Sequence, residues 1–197
     1  MSDSGSSENE RDNQQWLQFA RRGEFDRAWQ VSDRVLQRHV RQPDTRRPRH
    51  EQSIWMGGPL DGARVLVRCY HGLGDIIQFI RYARALRAIA REVIVWAQPS
   101  LLRLLESVEG IDRLVPLTDG TPEAEYDLDV EVMELPFIFR STLATIPNDV
   151  PYVAAAPAVL PGVRPRVGLI WRSGDWELRR SVPFDTLRPL LDLPGIT

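Results

Sequence analysis

The segment that most constrains this chain is a run of β-branched and apolar residues, Ala63 to Cys69, that passes through His71-Gly72-Leu73-Gly74-Asp75 into a helical pattern from Ile76 to about Ala90. A strand followed at once by a glycine turn and a helix buries its apolar side by folding the helix back onto it. Along that helix Ile76, Phe79, Ala83, Leu86 and Ala90 recur at spacings of three and four, while Arg81, Arg84, Arg87 and Arg91 occupy another sector. A second strand is expected at Glu92 to Ala97, a second helix at Ser100 to Val108 ended by Gly110, and a third strand at Leu114 to Leu117. Strands and helices that alternate over short connections predict an α/β fold built on a doubly wound parallel sheet.

The flanks differ in character. Residues 1–12 are rich in serine and acids and are expected to be disordered, because they bury too little apolar surface to offset the entropy of ordering. Residues 13–40 predict a helical hairpin: Trp16, Phe19 and Ala20 mark one helix, Phe25, Ala28, Ser32, Val35 and His39 the next, with Gly23 as the turn. The string Gly23-Glu24-Phe25-Asp26-Arg27-Ala28 with Val35-Leu36 resembles part of a tetratricopeptide repeat. Such repeats stabilise one another by stacking, so a single hairpin must dock on the next domain or on a protein partner. Residues 41–62 read as a connector. Its arginines Arg41, Arg46, Arg47 and Arg49 have no interleaved aromatics on which bases would stack, so they are read as a solvated link and not as a nucleic-acid patch.

Charge and cysteine content narrow the function classes. Twenty-five basic and 27 acidic side chains leave a net charge of −2, so no global field draws the chain to nucleic acid. Every basic residue is arginine, which excludes a lysine Schiff base and a Walker-type phosphate loop. A single cysteine, Cys69, forms no internal disulfide, and no apolar run approaches the roughly 18 residues of a membrane span. With no charged-then-apolar leader after Met1, a cytoplasmic setting is expected. From Asp119 to Glu134 seven acids occur with no base, and Tyr126, Leu128, Val130 and Val132 alternate with Asp127, Asp129 and Glu131. That period of two predicts a strand with one wet face, its carboxylates solvated and no metal bound. Leu135 to Thr142 reads as a short helix, Pro147 to Pro151 as a turn, Pro165 to Trp171 as a buried strand and Phe184 to Leu191 as a helix.

Gly72 and Gly74 stand where a backbone turns tightly and a ligand approaches the free amides of a helix start, a place that favours an anion. A dinucleotide site would also need a third glycine and an acid closing the next strand; here Asp75-Ile76-Ile77 and Trp96-Ala97-Gln98 occur instead, and no cofactor is expected. Asp75, in the first turn of the helix, fits either a helix cap or a general base aimed into the crevice at the strands' carboxyl ends.

The run Val65-Leu66-Val67-Arg68-Cys69-Tyr70-His71-Gly72-Leu73-Gly74-Asp75-Ile76-Ile77-Gln78-Phe79-Ile80-Arg81-Tyr82 resembles the glycine-loop segment of bacterial tetratricopeptide-repeat glycosyltransferases related to the heptosyltransferases. Three further stretches are similar to that family in the same order: Trp55 with Gly58, Leu60 and Gly62; Leu135-Pro136 through Thr142-Leu143 and Ile146-Pro147 to Val150-Pro151-Tyr152; and Val167 to Trp171 followed by Arg180-Ser181-Val182-Pro183. The resemblance implies two Rossmann-like domains of the GT-B type facing across a cleft, with the acceptor on the first and the nucleotide-sugar donor on the second. It implies residues 63–160 as the acceptor-side domain and 161–197 as the first strand and helix of a second, incomplete one, so that transfer by this chain alone is not expected.

On the same resemblance Asp75 deprotonates the acceptor hydroxyl, and Gly72, Gly74 and His71 belong to the substrate loop, where His71 either binds the acceptor or shapes the turn. Arg180 with Ser181 is nominated for the departing diphosphate, because a guanidinium fork matches phosphate oxygens; the alternative is an ordinary exposed arginine. The partners implied are a nucleotide-sugar donor and a glycan or protein acceptor. The rival expectation is a non-enzymatic interaction or scaffold module derived from such an enzyme.

Overall fold

A computed structural model of the chain describes residues 4–41, 54–159, 167–173 and 178–194. It divides into two compact units, residues 1–155 and 156–197.

The first unit carries four strands, β1 (Arg64–Arg68), β2 (Glu92–Ala97), β3 (Arg113–Pro116) and β4 (Leu128–Glu131), paired in the order β3-β2-β1-β4. All three pairings are parallel, with Val65 opposite both Val93 and Leu128. The fold is therefore α/β on an all-parallel sheet, in an order compatible with a Rossmann-like half. Because side chains alternate across a strand, Val65, Val67, Val93, Val95 and Val130 share one face, where they are buried. Onto that face pack the helices that connect β1 to β2 and β2 to β3, through Ile76, Ile80, Ala83, Leu86, Leu101 and Leu105. The first crossover is α3 (Leu73–Phe79), a 3-10 turn (Ile80–Tyr82) and α4 (Ala83–Arg87); the second is α5 (Pro99–Leu105). The single helix expected from Ile76 to Ala90 is thus tightened in its middle, although its apolar stripe and arginine sector hold.

The opposite face departs from a sheet wound on both sides. No helix lies among residues 117–127, which join β3 to β4. Leu66, Ile94, Trp96 and Val115 are instead covered by Tyr70, Leu117, Ala124 and Tyr126. The wet face expected along β4 holds in part: Asp127 is exposed and Asp129 half-buried, while Glu131 is buried. Arg64 donates to Asp127 at 2.9 Å, and Arg68 donates to Asp129 at 2.6 Å while lying over the rings of Tyr70 and Trp96. The two arginines at the ends of β1 thus each meet a carboxylate in or just before β4.

The hairpin forms as α1 (Ser4–Arg21) and α2 (Phe25–Arg41), with Gly23 at φ 73° in the turn, where a left-handed backbone favours glycine. It docks on the sheet unit. The Trp29 indole N–H donates to the Ser141 carbonyl at 2.9 Å, its ring lies 5.9 Å from that of Phe137, and Arg140 pairs with Asp33. The expectation that residues 1–12 are disordered is corrected over Ser4–Asp12, which are helical. Glu8 and Asp12 face Arg34 and Arg38 of α2, charges some 22 to 30 positions away that composition does not reveal. Most of the 41–62 connector lies outside the described residues.

In the second unit, α6 (Phe184–Leu191) forms where expected and buries no residue. The buried strand expected at Pro165 to Trp171 is also corrected: its described residues 167–171 form no strand, and Ile170 is 97% exposed. Among the described residues of this unit no strand is present to offer them a hydrogen-bonding edge. Among the described residues no helix is long and apolar enough to cross a membrane.

Candidate functional site

A parallel sheet directs every strand's carboxyl end to one edge, and here β1 and β4, as neighbours, deliver His71 and Glu131 together. The His71 Nδ1 atom lies 2.9 Å from Glu131 Oε1. The other Glu131 oxygen accepts the Met133 N–H at 2.7 Å, and Gln98 at the end of β2 donates to the His71 carbonyl at 2.8 Å. Glu131 is only 2% exposed. Burial pushes its carboxyl above the usual range, against the pull of the Met133 amide and His71. Beneath it, the Glu134 carboxylate accepts the N–H groups of Ile54, Trp55 and Glu131 at 3.0, 2.9 and 2.8 Å. Desolvation raises Glu134 to about 7 in spite of those three bonds.

The loop that follows β1 holds four of the expected residues. Gly72, at φ −62° and ψ 156°, is the N-cap of α3 and Asp75 sits in its first turn. Asp75 is exposed and makes no hydrogen bond or ion pair among the described residues, so the expected capping bond is absent. Its Oδ2 atom curls over Gly72, 3.2 Å from where a Cβ would stand. Neither Gly72 nor Gly74 has a left-handed backbone, and a Cβ on Gly74 would meet open space. A left-handed backbone therefore does not require these glycines; a Cβ at Gly72 would crowd the Asp75 carboxylate, whereas Gly74 borders open space.

Arg180 and Ser181 lie in the second unit. Arg180 ends a 3-10 turn (Leu178–Arg180) and is exposed, and Ser181 Oγ accepts the Ser173 N–H at 3.0 Å. A cavity of about 470 Å³ in the first unit lies away from the glycine loop, between Arg81, Arg84 and Val108 of the helical layer and the Pro147–Ala154 segment. Among the described residues no group of three His, Cys, Asp or Glu side chains is placed to hold a metal ion.

Glu131, Glu134 and Gln98 are the site residues that sequence reasoning missed. Alternation assigned Glu131 to a solvated face, whereas the usable signal was its place as the last strand residue of β4, at the same sheet edge as His71. Compared with protein-family models, with curated proteins and with solved structures, the chain matches none.

Proposed function

We propose that the first unit is the acceptor-side domain of a heptosyltransferase-like glycosyltransferase of the GT-B type, working in the cytoplasm with a nucleotide-sugar donor and a glycan or protein acceptor. The observation that carries this reading is the Asp75 carboxylate: solvent-exposed, uncommitted to protein partners among the described residues, and seated at the carboxyl-end edge of a parallel sheet beside two glycines. The family resemblance of the loop supplies the reaction class.

In the proposed step the acceptor hydroxyl attacks the anomeric carbon of the donor as the bond to the diphosphate breaks, and the hydroxyl proton passes to Asp75. Separately, and on the family resemblance alone, Arg180 and Ser181 of the second unit are proposed to bind donor phosphate, a guanidinium fork matching phosphate oxygens. The tetratricopeptide-like hairpin is assigned a protein partner, on the helical surface not used by Trp29.

The test is an amide NMR titration of the 197-residue chain with a panel of neutral oligosaccharides. Acceptor-type oligosaccharides are expected to shift the resonances of residues 71–75. A panel that shifts none of them removes the glycan acceptor. In any longer form of the chain that transfers sugar, Asp75→Asn is expected to lower turnover about a hundredfold while donor binding stays within a few-fold. Unchanged turnover would discard the base.

A further inference from the structure

The transfer step makes no use of the cavity of about 470 Å³ in the helical layer of the first unit, whose volume falls in the range of small-molecule sites. Two ties fix the 147–154 segment onto the helices and so frame this space. The Arg81 guanidinium donates to the Pro147 carbonyl at 3.3 Å and to the Tyr152 hydroxyl at 3.1 Å, and that hydroxyl donates onward to the Ile77 carbonyl. The Ser107 hydroxyl accepts the Ala154 N–H at 2.8 Å and donates to the Leu104 carbonyl. Between these ties Pro147 and Pro151 restrict the backbone, so the segment is kept from collapsing onto Ala85, Ala88 and Val108.

A guanidinium carries five N–H donors. Among the described residues the half-buried Arg81 side chain spends three, on the Gln78 and Pro147 carbonyls and the Tyr152 hydroxyl, and none on a carboxylate. Arg84, three residues on and in the same lining, has Glu109 at 3.8 Å and Asp149 at 3.6 Å, both exposed and both beyond hydrogen-bond reach. Pairs this loose and this wet contribute little and yield to a carboxylate that takes up the N–H groups directly. The cavity therefore offers two arginines with unfilled donors beside apolar walls. Glu109 and Asp149 set the limit, because they repel further negative charge and so disfavour a multiply charged phosphate. We infer that this cavity binds a monocarboxylate with an apolar body, its carboxylate held by Arg81 and Arg84. The site shares no residue with the 71–75 loop and stands or falls separately from the transferase reading.

Amide NMR of the full chain tests the site with phenylacetate, phenylacetamide, phenethylamine and inorganic phosphate. Phenylacetate is expected to shift resonances within 81–88 and 147–154. Phenylacetamide, of the same shape without the charge, is expected to bind about tenfold more weakly, having lost the charge-assisted hydrogen bonds. Added salt is expected to weaken phenylacetate and leave phenylacetamide unchanged. Arg81→Gln is expected to weaken phenylacetate about tenfold and phenylacetamide little. Arg81 also grips Pro147, so Arg84→Gln, at an exposed side chain that makes no hydrogen bond among the described residues, keeps the test decisive if the first variant fails to fold. It is expected to weaken phenylacetate by at least about threefold. Ala85→Leu narrows the space with a good helix former and is expected to weaken both probes. Arg103→Gln, exposed on α5 and outside the lining, is expected to change neither.

Phenethylamine or phosphate binding more tightly than phenylacetate would overturn the inference, since the acids or charge alone would then govern the cavity. Equal affinity for phenylacetate and phenylacetamide, or a phenylacetate affinity that ignores both arginine variants, would remove the carboxylate. A spectrum in which no probe moves residues 81–88 or 147–154 would remove the site.

Discussion

Two buried glutamates make the stability of the first unit depend on pH. In the unfolded chain Glu134 titrates near 4.5; in the fold burial raises it to about 7, and Glu131 moves the same way. Folding therefore takes up protons between those values. The stabilisation is complete below about 4.5 and is lost as pH rises through about 7, at most about 3 kcal/mol for Glu134. Asp12 and Asp127, which arginines hold below the usual carboxylate range, act oppositely and lose their contribution as pH falls below 3.8. Denaturant midpoints are thus expected to be highest near pH 5 and to decline toward pH 8, and Glu134→Gln is expected to flatten that decline. A midpoint that climbs from pH 5 to 8 contradicts the assignment. The loop glycines give a second test at this scale. With Gly74 facing open space outside the left-handed region, Gly74→Ala is expected to leave thermal stability unchanged or raise it by up to about 1 kcal/mol, yet to weaken any ligand that approaches the backbone there. A strongly destabilised Gly74→Ala would mean that the glycine serves the fold.

At the scale of elements, Trp29 is the buried anchor of the hairpin, beside the more exposed Arg140–Asp33 pair. Trp29 is 7% exposed, donates to Ser141 and packs against Trp16 and Phe137, so Trp29→Ala is expected to cost about 3–5 kcal/mol and to open α1 and α2 to protease. Gly110 has the matching role between α5 and β3. Its φ is 91°, and a Cβ there would stand 2.6 Å from the Ala83 carbonyl oxygen, which is backbone and cannot swing aside. Gly110→Ala is expected to cost about 3 kcal/mol or more by chemical denaturation, the strain and the clash acting together. These elements were readable to different degrees for physical reasons. Glu92–Ala97 and Phe184–Leu191 match their expected bounds because pattern and boundary residues agree locally. Ser4–Asp12 did not, since its helix is secured by Arg34 and Arg38 on another element. Residues 167–171 did not either, because a β-branched run states a preference for burial without supplying a neighbour. The glycine loop was legible, while Glu131 was hidden: alternation fixes the side of a strand but not whether that side is covered.

For the whole molecule, the distribution of the core decides which part of the chain stands by itself. Every buried apolar residue of the described chain falls between Ala28 and Leu135, inside the first unit, and the four strands, both crossovers and the docked hairpin lie there too. The second unit contributes an exposed helix, a ring contact between Trp171 and Phe184, and a few bonds such as that from the Val182 amide to the Trp171 carbonyl. Free energy of folding scales with apolar surface removed from water, so nearly all of it resides before Ala155. A chain ending at Ala155 is therefore expected to unfold cooperatively within a few degrees of the full-length protein, with the same amide spectrum for residues 63–140. In full-length protein, brief proteolysis is expected to cut after position 155 first, because helices that bury nothing open at little cost. A truncated chain that melts far lower, or a resistant segment at 156–197, would show that the second unit has a core or a contact of its own and that the partition drawn from burial is wrong.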